Sequence, residues 1–235
     1  MIERKNLASI GSGVVTTKKG LHTGDMIWLA ILAVVAAFLI YPPTNKVFVT
    51  LTTAHPYLMG FIKFFILASM GDWLGTRIVM GDWVKPKGAI YKSILWGIFG
   101  MGITLSFTIF NAGANAALAN GLLPGNGYPI VSAFFTSLIM NFTFGITLMG
   151  VHRFTDTYID LYFSNGAKPT ADEVIKNMGL DNLIKFVYAK TLPFFWVPAH
   201  TIVFMLPPVY RVLAAAALGI ALGGILSFAK RKANS

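Results

Sequence analysis

The chain has 235 residues, of which 55% are hydrophobic and 12% are charged, whereas soluble domains carry about 25% charged residues. This composition excludes an ordinary soluble domain and indicates an integral membrane protein. The formal net charge of +10 comes from Lys and Arg residues beside apolar runs, so nucleic acid is excluded as a partner. There is no cysteine, so disulfides and thiolate metal sites are excluded as well.

The N-terminal part of the chain contains a basic segment and two predicted transmembrane helices. Residues 1–25 form the basic segment, and the apolar run 26–41 predicts an additional N-terminal transmembrane helix. The second run, 55–80, is long enough to cross a bilayer once. Pro56 suits the first turn of this helix, and Gly81 suits its C-terminal cap.

The middle of the chain contains two more apolar runs and one hydrophilic stretch. The runs extend from about 91 to 119 and from about 129 to 151, and each predicts one transmembrane helix. The polar insert, 152–182, contains Thr170 and Glu173 at the spacing of a capping box. We therefore predict a short surface helix that begins at this motif.

The last apolar run, 192–228, is too long for one simple span and contains four prolines. It predicts either a hairpin of two spans or one long kinked helix.

Lys and Arg residues lie before the first run, in the loop 85–92, in the polar insert and at the C-terminus, whereas the loop 120–128 is uncharged. The positive-inside rule places the basic regions on one side, which requires an even number of crossings. We therefore predict an all-α transmembrane bundle of about six segments, the last two a hairpin broken by proline.

An acidic residue in the second helix is the first candidate for a functional site. A carboxylate at the depth of Asp72 costs about 3 kcal/mol in hydrocarbon, so we expect it to face protein or water and to find a partner on another helix. Lys63 points to the opposite side of the same helix and cannot be that partner. Arg77 is expected to extend to the inner headgroups. The alternative is that Asp72 makes one structural ion pair or caps backbone amides.

Other polar residues in the apolar runs are candidates to line or gate a path through the bundle. The candidate partners of Asp72 on the inner side are Asn141, His152, Arg153 and Lys190. The candidates on the outer side, as neighbours of Lys63, are His55, Asn111, Asn115 and Arg211. His200, in the last apolar run, lies between the two groups, and its ring can act as a proton carrier or gate. The alternative is that the asparagines only join helices by packing.

No catalytic or metal site is predicted. His152, Asp156 and Asp160 share one helix face, but the neighbouring Arg153 favours a solvated helix end over metal binding. Motifs of nucleotide-binding loops, hydrolase elbows and zinc proteases are absent from the sequence. We therefore expect neither an enzyme nor a cofactor.

Small residues at four-residue spacing predict close packing between helices. Gly71 and Gly75 form a GxxxG motif, and Ala215, Gly219 and Gly223 repeat along one face of the last helix. Such faces let helix backbones approach closely in lipid. We prefer packing within the chain to the alternative, in which these faces bind a second copy or another membrane protein.

Three stretches between residues 54 and 232 carry a family resemblance. They are Ala54-His55-Pro56 with Gly71-Asp72, the stretch from Lys87-Gly88 to Pro124-Gly125, and the C-terminal pattern of Trp196, Pro198, Phe204, Pro207, Tyr210 and Arg211. They resemble the first helix, the second helix and the C-terminal signature of the family of the 22-kilodalton peroxisomal membrane protein and its mitochondrial inner-membrane relatives. Residues 199–203 lack the Gln and Asn of that signature, and 26–41 lies outside the four-helix core, as expected of a distant, bacterial member.

The resemblance implies a small membrane bundle that acts as a pore or metabolite channel, with important residues at Asp72, Pro198, Pro207 and Arg211. We predict a channel or transporter for small polar solutes or ions, surrounded by membrane lipids. The alternative function is a structural or accessory membrane subunit that binds a partner through its small-residue helix faces. The bacterial cytoplasmic membrane is the preferred location, and an organellar inner membrane is the alternative.

Overall fold

The computed structural model describes the backbone of residues 22–233 and the side chains of residues 22–225. The predicted all-α fold is confirmed, since these residues form helices and no strand. Most of the basic segment, 1–25, and the side chains of the C-terminal Lys and Arg residues lie outside the described residues. In chain order the helices are α1 (Thr23–Ile40), α2 (Pro42–Ala54), α3 (Pro56–Met80), α4 (Ala89–Ala119), α5 (Pro129–Asn165), α6 (Ala171–Asn177), α7 (180–205) and α8 (Pro208–Ala233).

Five helices, α1, α3, α4, α5 and α8, are long and apolar enough to cross a membrane. This set of helices is that of a polytopic membrane protein. Helix α7 is also long, but it is more polar and is not among the five. It would provide the sixth of the predicted segments.

Several helix ends follow from local sequence signals. Pro56 occupies the first turn of α3, and Gly81 ends it in a left-handed conformation (φ 77°) with its N–H bonded to the Arg77 carbonyl. The capping box at α6 is present as predicted, because Thr170 and Glu173 exchange hydrogen bonds between side chain and backbone.

Helix α5 differs from the prediction. We predicted a polar insert at 152–182, but the helix continues to Asn165. This half of the helix packs on α4 through ion pairs, in which Lys92 Nζ lies 3.1 Å from Asp156 and 2.8 Å from Asp160. Apolar contacts add to them, since Ile159 is buried and the Phe163 ring lies 5.3 Å from the Tyr91 ring.

The predicted hairpin in the last apolar run is confirmed. Leu206 is extended (ψ 156°), and α8 begins at Pro208 because two successive prolines cannot continue the helix. The first arm of the hairpin begins at residue 180 rather than 192. Its segment Leu183–Trp196 forms wide, π-type turns, and Pro193 inside it lacks the N–H that regular α-helical bonding needs.

Contacts between neighbouring helices define their directions. Ser69 of α3 donates to Ser93 of α4 (2.8 Å), while the earlier residue Gly60 meets the later residue Gly100, so α3 and α4 are antiparallel. By the same criterion α1 is antiparallel to α3, and α5 is antiparallel to both α4 and α7. Helix α8 is parallel to α3.

These directions give the bundle two different ends. The basic end contains the loop 81–88, the segment 166–179, the start of α1 and the end of α8. The opposite end contains the uncharged loop 120–128, the hairpin break at 206–207 and helix α2, which carries Lys46; we call it the uncharged end after its loop. Between them lies an apolar core contributed mainly by α3, α4, α5, α7 and α8, with Phe64, Ile103 and Ala216 among its buried members.

Candidate functional site

Three cavities lie along the bundle, one near each end and one between them, and all three are partly open; the middle one is called the interior cavity. The basic-end cavity has a volume of about 190 Å³, the interior cavity about 290 Å³ and the uncharged-end cavity about 460 Å³. Helices α3, α4, α5, α7 and α8 supply the walls of the interior cavity. The polar residues predicted from sequence are distributed among these cavities rather than along one continuous line.

Asp72 lies at the boundary between the basic-end cavity and the interior cavity, since its side chain lines both. Its Oδ2 accepts a hydrogen bond of 2.7 Å from Trp96 Nε1. On the basic side, Lys92 and Asp156 line the same cavity. Asp72 is also exposed at the surface of the bundle, so its carboxylate is held by Trp96 at the edge of a polar cavity and is not enclosed by protein.

The partner of Asp72 differs from the predicted candidates. His152 is indirect, because its ring packs on the Trp96 ring at 4.4 Å between centroids. Arg153 donates to Asn182 instead (3.4 Å), and Lys190 is exposed and lines none of the three cavities. Sequence inspection overlooked the tryptophan because an indole N–H is neutral, although it is a hydrogen-bond donor that a carboxylate can use.

Arg77 has a partner that was not predicted. Its guanidinium makes a two-pronged ion pair with Asp25 of α1, at 2.9 Å from Nε and 3.0 Å from Nη2. Trp83 Nε1 donates to the same carboxylate (2.8 Å), and Trp28 Nε1 donates to the Met70 carbonyl (3.1 Å). The signal for this ion pair in the sequence was Asp25, an acidic residue directly before the first apolar run. These contacts attach α1 to the basic end of the bundle.

The predicted neighbours of Lys63 are also wrong. Lys63 is buried, its Nζ donates to Thr52 Oγ1 (3.1 Å), and it lies 4.6 Å from the centre of the Phe48 ring. Both partners belong to α2, a short helix that was not predicted from the sequence. His55, at the junction of α2 and α3, is exposed.

The uncharged-end cavity collects three of the predicted outer candidates, Asn111, Asn115 and Arg211. Asn115 Oδ1 accepts from Ser132 Oγ (2.7 Å), which joins α4 to α5. Arg211 Nε donates to the Leu206 carbonyl (2.9 Å) at the hairpin break. Its guanidinium also lies over an aromatic ring of α7, 5.6 Å from the ring centre.

The interior cavity is lined mainly by apolar and aromatic side chains and contains one polar pair, Asn141 and His200. The Asn141 amide lies 3.1–3.2 Å from His200 Nδ1, and its Nδ2 also donates to the Ser137 carbonyl (2.8 Å). The His200 ring stacks on Trp196 (5.1 Å) and meets Phe107 edge-on (5.7 Å). Asn141 thus pairs with His200 and not with the carboxylate of α3.

An aromatic pair separates the interior cavity from the uncharged-end cavity. Phe107 lines the former and Phe204 lines the latter, and their ring centroids are 4.8 Å apart. Both side chains are buried, with 5% and 3% of their surface exposed. The three cavities therefore follow one another through the bundle, with charged or polar groups at the two ends and an apolar chamber between them.

The small residues at four-residue spacing pack within the chain. A Cβ atom on Gly71 would lie 2.9 Å from the Gly219 carbonyl oxygen, and one on Gly223 would lie 2.9 Å from the Gly71 carbonyl oxygen. Ala215 is buried in the core on the same face, and Gly75 is half-buried one turn further along α3. This close approach of α3 and α8 uses the face that could otherwise have bound a partner.

Of the helix face formed by His152, Asp156 and Asp160, the two carboxylates make ion pairs with Lys92. In the described part of the chain there is no group of three or more acidic or histidine side chains that could hold a metal ion. Comparisons of the chain with family models, with curated proteins and with solved structures found no match. Fold and cavities together define the class as a polytopic α-helical membrane protein.

Proposed function

We propose that the protein is a channel or transporter for small polar solutes and that the three cavities form its path. The observation that carries the proposal is their order, in which polar cavities at the two ends flank an apolar chamber. Asp72 marks one boundary of that chamber, and the pair Phe107 and Phe204 marks the other. A structural subunit would gain nothing from cavities that interrupt its packing.

The aromatic pair would act as a closed gate. Hydrophobic constrictions block the passage of water and ions because the confined space does not stay wet. Phe204 lies in the last turn of α7, directly before the break at 206–207. A change at this break can move Phe204 without unfolding either helix, since the connecting residues are not helical.

Liposome flux tests the proposed function. Purified protein is reconstituted, and glycerol entry is followed by light scattering after an osmotic step. We expect Phe204→Leu to raise the protein-dependent flux several-fold, because the smaller side chain opens the constriction. Phe134→Leu is the matched control, since Phe134 is 42% exposed and lines none of the three cavities. Equal flux for both folded variants and for empty liposomes would refute the proposal.

Asp72→Asn provides a second test at the other boundary. Asparagine keeps an oxygen for the hydrogen bond from Trp96 but removes the charge, so we expect altered flux with little change in thermal stability. If the variant loses stability and flux is unaltered, the carboxylate is structural. That result would favour the alternative, a structural or accessory subunit, although its small-residue face is already used inside the chain.

We further propose that the chain is a distant relative of the 22-kilodalton peroxisomal membrane protein family and resides in the bacterial cytoplasmic membrane, with an organellar inner membrane as the alternative. The positive-inside rule supports placing the basic end in the cytoplasm. Because the chain has no cysteine, single substitutions Lys87→Cys and Asn126→Cys can report sidedness in cells. An impermeant maleimide should label only Asn126→Cys, and labelling of only Lys87→Cys would reverse the proposed orientation.

A further inference from the structure

We infer that the interior cavity binds a small, uncharged molecule with an apolar body and one hydroxyl group. The inference rests on the proposed function in one respect, because the ligand would occupy the middle of the proposed path. Its evidence is the chemistry of the cavity wall and two ring nitrogens of lining residues, His200 Nε2 and Trp196 Nε1, that have no hydrogen-bond partner among the described residues.

The wall of the cavity selects against charge. Most of it is contributed by side chains such as Phe64, Ile103, Phe144, Leu148 and Leu222. The volume of about 290 Å³ equals that of about ten water molecules in the liquid, enough for a small organic molecule. An inorganic ion would lose its hydration there without receiving a shell of polar ligands. The charged groups Asp72 and Arg153 contribute only to the lining at the basic side.

His200 supplies the hydrogen-bonding group. Its Nδ1 is held by Asn141, which is 98% removed from solvent, whereas no described residue hydrogen-bonds to its Nε2. If the Asn141 amide N–H donates to Nδ1, then Nε2 carries the proton and is a donor. If Nδ1–H donates to the Asn141 oxygen, then Nε2 is an acceptor. A hydroxyl group satisfies both, since it donates and accepts.

Aromatic rings define the shape of the site around this nitrogen. Trp196 stacks on one face of the His200 ring, with 23° between the planes, and Phe107 meets it nearly perpendicularly. These contacts fix the imidazole, so a ligand does not have to order it first. An apolar body beside the hydroxyl would fill the space toward Leu148 and Met140.

Binding can be measured with 4-bromobenzyl alcohol, because bromine quenches tryptophan fluorescence and Trp96 and Trp196 both line the cavity. With the purified protein in nanodiscs we expect saturable quenching by the alcohol and none by 4-bromobenzylammonium, which has the same body and a charge. Equal or tighter binding of the ammonium compound, or the absence of a saturable component for the alcohol, would overturn the inference.

Two pairs of comparisons locate the site. His200→Phe should weaken the alcohol about threefold to tenfold, the value of one hydrogen bond, and leave 4-bromotoluene unchanged. Leu148→Phe should weaken both probes by filling the cavity, whereas Leu105→Phe, at an exposed position outside it, should weaken neither. If His200→Phe does not fold, the Leu148 and Leu105 pair decides, and equal effects of these two variants would overturn the inference.

Failure of this inference and failure of the proposed function give different results. Saturable, His200-dependent binding without solute flux in liposomes would refute transport and leave the binding site in place. Flux that responds to Phe204→Leu without saturable binding of the alcohol would refute the binding site and leave transport in place.

Discussion

Close contact between α3 and α8 can be tested by adding a single methyl group. At Gly71 the new Cβ atom would lie 2.9 Å from the Gly219 carbonyl oxygen and 3.0 Å from its carbon. These are backbone atoms, which cannot rotate away, so the two helices must separate by several tenths of an ångström. Gly71→Ala is therefore expected to destabilise the bundle.

The size of the effect follows from two opposing terms. Overpacking of a well-packed contact costs about 1–3 kcal/mol. Replacing a helical glycine by alanine gains about 0.5–1 kcal/mol. We therefore expect the free energy of unfolding to fall by about 1–2 kcal/mol in Gly71→Ala and by a similar amount in Gly223→Ala, whose Cβ would meet the Gly71 carbonyl oxygen at 2.9 Å.

Two matched glycines should behave differently. A Cβ on Gly219, in the same interface, would lie 3.9 Å from Ala68 Cα, which is an ordinary contact. A Cβ on Gly113 of α4 would meet nothing within 4 Å. We expect Gly219→Ala and Gly113→Ala to be neutral or stabilising. SDS titration in mixed micelles, followed by circular dichroism, measures all four variants, and equal stability of Gly71→Ala and Gly113→Ala would refute the packing argument.

Three further predictions concern charged residues. Lys63→Met should raise the free energy of unfolding by about 1 kcal/mol in the same titration, because a buried ammonium without a carboxylate partner is removed; a loss of stability would show that the charge is needed. Asp25→Asn should lower the free energy of unfolding by about 2 kcal/mol, because the charged hydrogen bonds to Arg77 are lost. The Thr170 N–H lowers the pKa of Glu173, so the cap of α6 should be complete above the usual glutamate pKa and weaken as pH falls through the lowered value. Hydrogen exchange in α6 that is independent of pH in that range, after correction for intrinsic rates, would contradict the last prediction.

Local sequence signals were sufficient where one or two neighbouring residues determine the backbone. Pro56, Gly81 and the Thr170 capping box determine helix ends through their own dihedral angles and hydrogen bonds, and Pro207-Pro208 determines the hairpin. The apolar runs likewise predicted the long helices, because hydrocarbon requires every backbone group to be bonded within the helix.

The sequence was insufficient where the structure depends on which helices are neighbours. Helix α2 lacks a long apolar run, and its role in covering Lys63 follows from tertiary packing. The partner of Asp72 could not be chosen because Trp96 and His152 lie at a similar depth, and only the rotation of each helix decides between them.

The parallel packing of α3 against α8 has a consequence for biogenesis. Helix α8 leaves the ribosome after α3, so Gly71 and its neighbours on α3 must wait in the bilayer, without this contact, until α8 has been made. A nascent chain arrested before α8 would present an incompletely packed α3 to lipid and to membrane proteases. The decisive step in assembly of this bundle should therefore follow insertion of α8, and a truncation just before α8 should be as damaging as an early one.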